Sequence, residues 1–128
     1  MRLLLDTHTI VWVMNDNRRL SKAARAAISL PSNPAFASAA SIWEAATKFR
    51  IGKFPDAALL VDNPTRVLAA LEIEVLSVSV EHARLGGLLP YAHKDPFDRM
   101  LAAQALLEGL TLVSADTIFD ELAVARLW

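Results

Sequence analysis

The chain has no cysteine. Disulfides and thiolate-held zinc are therefore excluded, which fits a reducing compartment. It has no apolar run approaching the ~18 residues of a membrane span. The N-terminus lacks the basic start and long apolar core of a signal peptide. An excess of one charge is missing too: 13 Lys and Arg face 14 Asp and Glu, for a formal net charge of −1. Such a balance gives no global basic footprint for a polyanion, so any nucleic-acid contact must come from a local basic patch or a metal. No internal repeat, low-complexity tract or linker interrupts the chain. The expectation is one cytoplasmic domain, residues 1–128, without membrane contact.

What the chain has in quantity is apolar surface. Hydrophobic residues make up 54% of it, above the usual ~45–50%. A chain of this length buries roughly two-thirds of its unfolded surface, and the surplus suggests an oligomer or partner interface.

The run Leu3-Leu4-Leu5 reads as a strand buried on both faces. Asp6-Thr7-His8-Thr9 follows at once and opens a helix over 7–15. Ser21 is a good N-cap for a second helix, 22–29. Residues 35–37 form a short strand. Ser38 or Ser41 caps a helix to about Arg50, stopped by Gly52. Pro55 and Pro64 open two short helices. Glu74 to Val78 alternates as a third strand, and Val80 to Leu88 is a helix closed by Gly86-Gly87. Asp95 and Pro96 stand at N-cap and N1 of a helix running to Glu108 and ended by Gly109. A strand at 110–113, a short helix at 118–122 and an edge strand within 123–128 complete the chain. Alternating strands and helices predict a parallel sheet with helices on both faces.

In open sheets of this class, ligands bind outside the carboxyl ends of the strands. Asp6 and Asp116 each follow a strand there, where an aspartate also serves as a plain helix cap. Glu44 lies on an apolar helical stretch. It has two structural readings: a capping box with Ser41 and an i,i+4 pair with Lys48. Asp95 is accounted for as an N-cap, and Asp98 is N3 of the same helix, where the helix dipole favours it. Together, Asp6, Glu44, Asp98 and Asp116 would converge at one end of the sheet. Like charges at such range repel, and a cation would neutralise them. An all-oxygen site suits Mg²⁺ or Mn²⁺. The substrate expected of it is a phosphodiester, attacked by a metal-bound water.

Four segments carry a family resemblance. They are Leu3-Leu4-Leu5-Asp6-Thr7-His8; Ser41-Ile42-Trp43-Glu44-Ala45-Ala46-Thr47-Lys48 with Gly52-Lys53; His93 through Ala105; and Leu112-Val113-Ser114-Ala115-Asp116. In this order and spacing the chain resembles the PIN-domain ribonucleases, specifically the VapC toxins of type II toxin–antitoxin modules. The resemblance implies a three-layer α/β/α sandwich around a short, mainly parallel sheet. It implies Asp6, Glu44, Asp98 and Asp116 as catalytic and metal-binding residues, with Asp95 in support. It also implies RNA cleavage with Mg²⁺ or Mn²⁺, a homodimer, and a small antitoxin whose tail covers the site. Thr7 and Ser114 either bond metal waters or cap helices. Arg99 and Lys48 are candidates for RNA phosphate, with a carboxylate partner as the alternative for Arg99. His8, His82 and His93 are scattered and read as loop or helix-surface residues. Trp12, Trp43 and Trp128 read as core or interface.

Two other functions lack the residues they require. A phospho-receiver domain needs an Asp directly after a middle strand and a late Lys, and neither is in place. A haloacid-dehalogenase-like phosphatase needs an Asp where His8 stands. A catalytically silent PIN-like module that binds RNA or protein is the remaining alternative.

Overall fold

The computed structural model describes residues 1–128. Five strands form one sheet in the order β3-β2-β1-β4-β5, and every pairing is parallel. They are β1 (Leu3–Leu5), β2 (Ala35–Ser38), β3 (Ile73–Leu76), β4 (Thr111–Val113) and β5 (Arg126–Leu127). The helices are α1 (Thr7–Met14), α2 (Lys22–Ser29), α3 (Ala39–Arg50), α4 (Ala58–Asp62), α5 (Pro64–Ala70), α6 (Val80–Leu88) and α7 (Pro96–Glu108). This is the α/β sandwich expected, with a sheet parallel throughout.

The leucine run explains the layers. Successive strand residues point to opposite faces. Leu3 and Leu5 join the core formed with α1 to α5, while Leu4 joins the core of α7, β4 and the 3₁₀ turn Thr117–Leu122. All three leucines are fully buried, because β1 is the central strand with a layer on each side.

Caps fix the boundaries. Ser21 accepts from the Ala24 N–H at 3.0 Å and starts α2. Asp95 accepts from Phe97 and Asp98 N–H at 2.8 and 3.1 Å and starts α7. Gly109 ends α7 at φ 65°, a left-handed conformation that glycine adopts without a Cβ penalty.

Three local expectations are revised. Ser38, not Ser41, caps α3, by accepting from the Ala40 N–H at 3.0 Å. The capping box of Ser41 with Glu44 is therefore absent. β3 begins at Ile73, which is buried, whereas Val78 lies exposed beyond the strand. α6 spans Val80–Leu88 as expected, but Gly86 and Gly87 lie within its last turn and Leu89 is its C-cap. Gly86 lies where α6 crosses α7, and a Cβ there would stand 3.6 Å from the Arg99 carbonyl oxygen.

Candidate active site

β1 and β4 pair with Leu5 opposite Val113, so the chain leaves both strands at the same edge of the sheet. Asp6 leaves the first. Its N–H donates to the Val113 carbonyl at 3.1 Å, which fixes its backbone to the neighbouring strand. Its Oδ1 accepts from the Thr9 N–H at 2.8 Å, capping α1. The Ser114 hydroxyl donates to its Oδ2. Burial pushes the Asp6 carboxyl above its ordinary range, and the bonds from Ser114 and Thr9 work against that rise.

Asp116 leaves the second strand. Its N–H donates to Ser114 Oγ at 3.0 Å, and its own side chain accepts from the Ile118 N–H at 3.0 Å. It is exposed where Asp6 is buried. Ser114 thus ties the Asp6 carboxylate to the backbone of Asp116.

Helices α3 and α7 form the facing wall. Glu44 is 5% exposed. Thr7 Oγ1 donates to its Oε1 at 2.5 Å, and Lys48 Nζ donates to its Oε2 at 2.5 Å. Burial would lower the Lys48 pKa. The Glu44 bond and the charges of Glu44, Asp95 and Asp98 outweigh that and raise it. Asp98 accepts from or donates to His93 Nε2 across 2.8 Å, according to the imidazole tautomer. Its carboxyl is pushed up to about 6, first by burial and then by the charges of Asp95 and Glu44, with the His93 bond opposing.

These residues line one cleft of about 420 Å³. Asp6, Glu44, Asp95, Asp98 and Asp116 all face it, with Thr7 and Lys48 between them. The structure therefore brings every expected acid to one place. It does not bring them to one point: no three His, Asp or Glu side chains stand close enough to share an ion. The expectation of a tight cluster is corrected here. Each carboxylate has a protein donor instead. The donor set still fits a hard divalent cation. It is all carboxylate oxygen, and the charges of Asp95 and Glu44, which add to burial in raising Asp98, are ones a cation would offset.

The PIN-domain family model matches residues 3–125. The chain belongs to the PIN-domain family. This PIN domain shares its fold with solved toxin–antitoxin assemblies. One is VapBC2 of Rickettsia felis bound to a DNA fragment from its promoter (17% identity, TM-score 0.71, covering 98% of this chain and 97% of that one). Another is DNA-bound VapBC of Salmonella typhimurium (21%, TM-score 0.66, 98% and 96%). A third is a toxin–antitoxin complex of Klebsiella pneumoniae (22%, TM-score 0.60, 90% and 87%). Comparison with curated protein sequences yields no match.

The two basic residues that are candidates for RNA phosphate, Lys48 and Arg99, part company. Lys48 lines the cleft. Arg99 does not: its guanidinium donates to the carbonyls of Gly86, Gly87, Leu89, Tyr91 and His93 at 2.6–3.3 Å. Five backbone acceptors leave no N–H for phosphate or for a site carboxylate. Arg99 is a clamp on the loop between α6 and α7, the loop that presents His93 to Asp98.

Two further expectations change. Thr7 and Ser114 cap no helix; each bonds a carboxylate of the cleft. His82 is not a surface residue. It is 3% exposed, completes the N-terminal capping box of α6, and bonds Glu108 through Nε2 at 2.8 Å.

His8 reads from sequence as a loop or helix-surface residue and Trp12 as core or interface, and Arg19 carries no reading; all three line the cleft. His8 and Trp12 had a signal: four residues apart, they share a helix face just after Asp6. Arg19 sits in a turn and had none.

Proposed function

We propose that this PIN domain is a metal-dependent endoribonuclease, the toxin of a type II toxin–antitoxin module. The observation that carries the reading is the convergence of five carboxylates on one cleft at the strand ends, where burial first, and the charges of Asp95 and Glu44 after it, push Asp98 up to about 6. Asp6, Glu44, Asp98 and Asp116 would hold Mg²⁺ or Mn²⁺, with Asp95 beside them. The bound cation would supply charge neutralisation and an acidified water for attack on an RNA phosphodiester.

The rest of the work falls to the chain. Ser114 and the Thr9 N–H aim Asp6 into the cleft, and Thr7 aims Glu44. Lys48 supplies the positive charge nearest the acids, where the non-bridging oxygens of a phosphate would lie. Arg99 keeps His93 against Asp98 by holding its loop.

The solved relatives are toxin–antitoxin complexes, which supports a small antitoxin as partner. The apolar groove of Ala39, Trp43, Val78, Phe97 and Met100 supports a homodimer. Trp43 is 65% exposed within it and meets Phe97 edge-on at 4.9 Å, and a second copy would cover it. No helix is long and apolar enough to cross a membrane, which accords with action in the cytoplasm.

The test is direct. Purified protein is incubated with total RNA and Mg²⁺ or Mn²⁺, and new ends are mapped. Discrete cleavage is expected, abolished by EDTA and restored by either metal. Intact RNA under both metals would leave a silent binding module as the reading.

A further inference from the structure

The proposed chemistry uses one half of the cleft and leaves the α1 half unexplained. His8 stands two residues after Asp6, with its side chain exposed. Its ring packs on Phe54 at 4.8 Å between centroids, tilted 32°, and on Trp12 at 5.9 Å. Trp12 meets Trp128 in turn at 5.6 Å. Phe54 is buried, and Trp12 and Trp128 are half-buried. Aromatic rings therefore run outward from the core and end at an open imidazole on the cleft wall. No protein group bonds the His8 ring nitrogens.

Arg19 lies at the same rim. Its backbone N–H bonds Asn17 Oδ1 at 2.9 Å, but its guanidinium has no partner. That separates it from the arginines with committed heads: Arg25 pairs with Asp16, Arg126 with Asp120, and Arg99 clamps its loop. A flat ring held firmly from behind, beside an uncommitted cation, matches a ligand that alternates flat rings with anions. An unpaired nucleotide is such a ligand. Single strands are recognised by stacking bases on aromatic side chains while cations follow the backbone.

We propose that His8, backed by Phe54 and flanked by Trp12, is a stacking shelf for one unpaired nucleobase beside the scissile phosphate, and that Arg19 takes a neighbouring phosphate. The inference rests on the ribonuclease reading and deepens it. It predicts a single-stranded target, since a base held within a duplex cannot lie flat on the shelf. An arginine- or tryptophan-bearing peptide tail is the competing occupant.

The probes are a short single-stranded RNA spanning the mapped cleavage site and a set in which each base in turn is replaced by an abasic riboside. Binding is measured with Mg²⁺ on protein carrying Asp98→Asn. Loss of one particular base should weaken binding about tenfold, in keeping with the usual worth of one stacked base. That penalty should vanish when His8→Ser is added and persist with His8→Tyr. Tryptophan fluorescence should be quenched by the intact probe and not by the abasic one. Arg19→Ala should weaken every probe alike and reduce the salt slope by about one. Equal base penalties with and without His8→Ser would overturn the shelf while leaving ribonuclease action intact. RNA that is neither bound nor cut would instead sink the functional reading. A peptide that loses affinity with His8→Ser, while RNA does not, would assign the shelf to a protein partner and overturn the proposal.

Discussion

The two sides of the cleft hold their carboxylates in different ways. At the strand tips, Asp6 and Asp116 are bonded by neutral groups: the Thr9 and Ile118 N–H and the Ser114 hydroxyl. On the helix wall, Glu44 and Asp98 are bonded by groups that carry or can gain a positive charge, Lys48 and His93. Neutral donors orient a carboxylate and leave its charge in place. A cation orients it and cancels the charge. Burial is the leading cause of the rise at both Asp6 and Asp98, but only Asp98 is also raised by neighbouring carboxylates. The strand tips thus supply fixed negative charge, and the helix wall supplies charge that Lys48 already balances in part. An arriving metal ion must share the wall with that ammonium.

The largest effect expected from breaking this arrangement is on turnover. Asp6→Asn and Asp98→Asn should each reduce RNA cleavage at least about 100-fold, with circular dichroism showing an intact fold. Cleavage at the parent rate by either variant would remove that residue from the chemistry. Next comes Arg99→Ala, which strips the loop of its clamp. It should cost about 2–4 kcal/mol in urea unfolding, as several carbonyls lose a charged donor. Arg99→Lys should recover only part, because an ammonium cannot reproduce the planar fork.

Lys48→Met probes the balance itself. Removing the ammonium should tighten Mg²⁺ binding by about tenfold in calorimetry, while RNA binds more weakly. Unchanged metal affinity would mean that the two sides of the cleft do not differ as described.

The smallest effect is on stability, and its sign follows from the Asp98 pKa. In the fold it stands near 6, above the ordinary 3.8. The folded state therefore holds the proton more tightly than the unfolded chain. The ionised carboxylate opposes folding, and stability from this group falls as pH rises from about 4 to 6. Asp98→Asn should raise Tm at pH 7 by roughly 3–5 °C, allowing for solvent screening of a partly exposed group. The gain should shrink as pH is lowered through 6. A gain that is independent of pH would refute the electrostatic cause.

Much of this was legible in the sequence because it is written locally. Ser21, Asp95 and Gly109 announce helix ends through their own hydrogen bonding and backbone preferences, and those ends fall where expected. Asp6 and Asp116 were legible because strand-end position is a topological rule, whereas Glu44 and Asp98 lie on helices and were legible through the family resemblance. What escaped depends on contacts between distant segments. Nothing near Arg99 reveals that its five donors will face five carbonyls. His82 reads as a surface histidine until α7 packs over it. Ser38 and Ser41 are both plausible caps, and only the exit of β2 decides between them. Even the spread of the acids around the cleft, rather than at one point, is a matter of three-dimensional placement that spacing along the chain does not give.

The central position of β1 carries a consequence for how the protein comes into being. Ser114 reaches Asp6 across 108 positions of sequence, so the innermost strand waits for one of the last to arrive. Contacts of such separation form late and set the pace of folding. A growing chain that has emerged only as far as α7 already bears Asp6, Glu44 and Asp98, but lacks β4 to align them. If the cleft cuts RNA, it cannot do so before β4 has emerged and paired with β1.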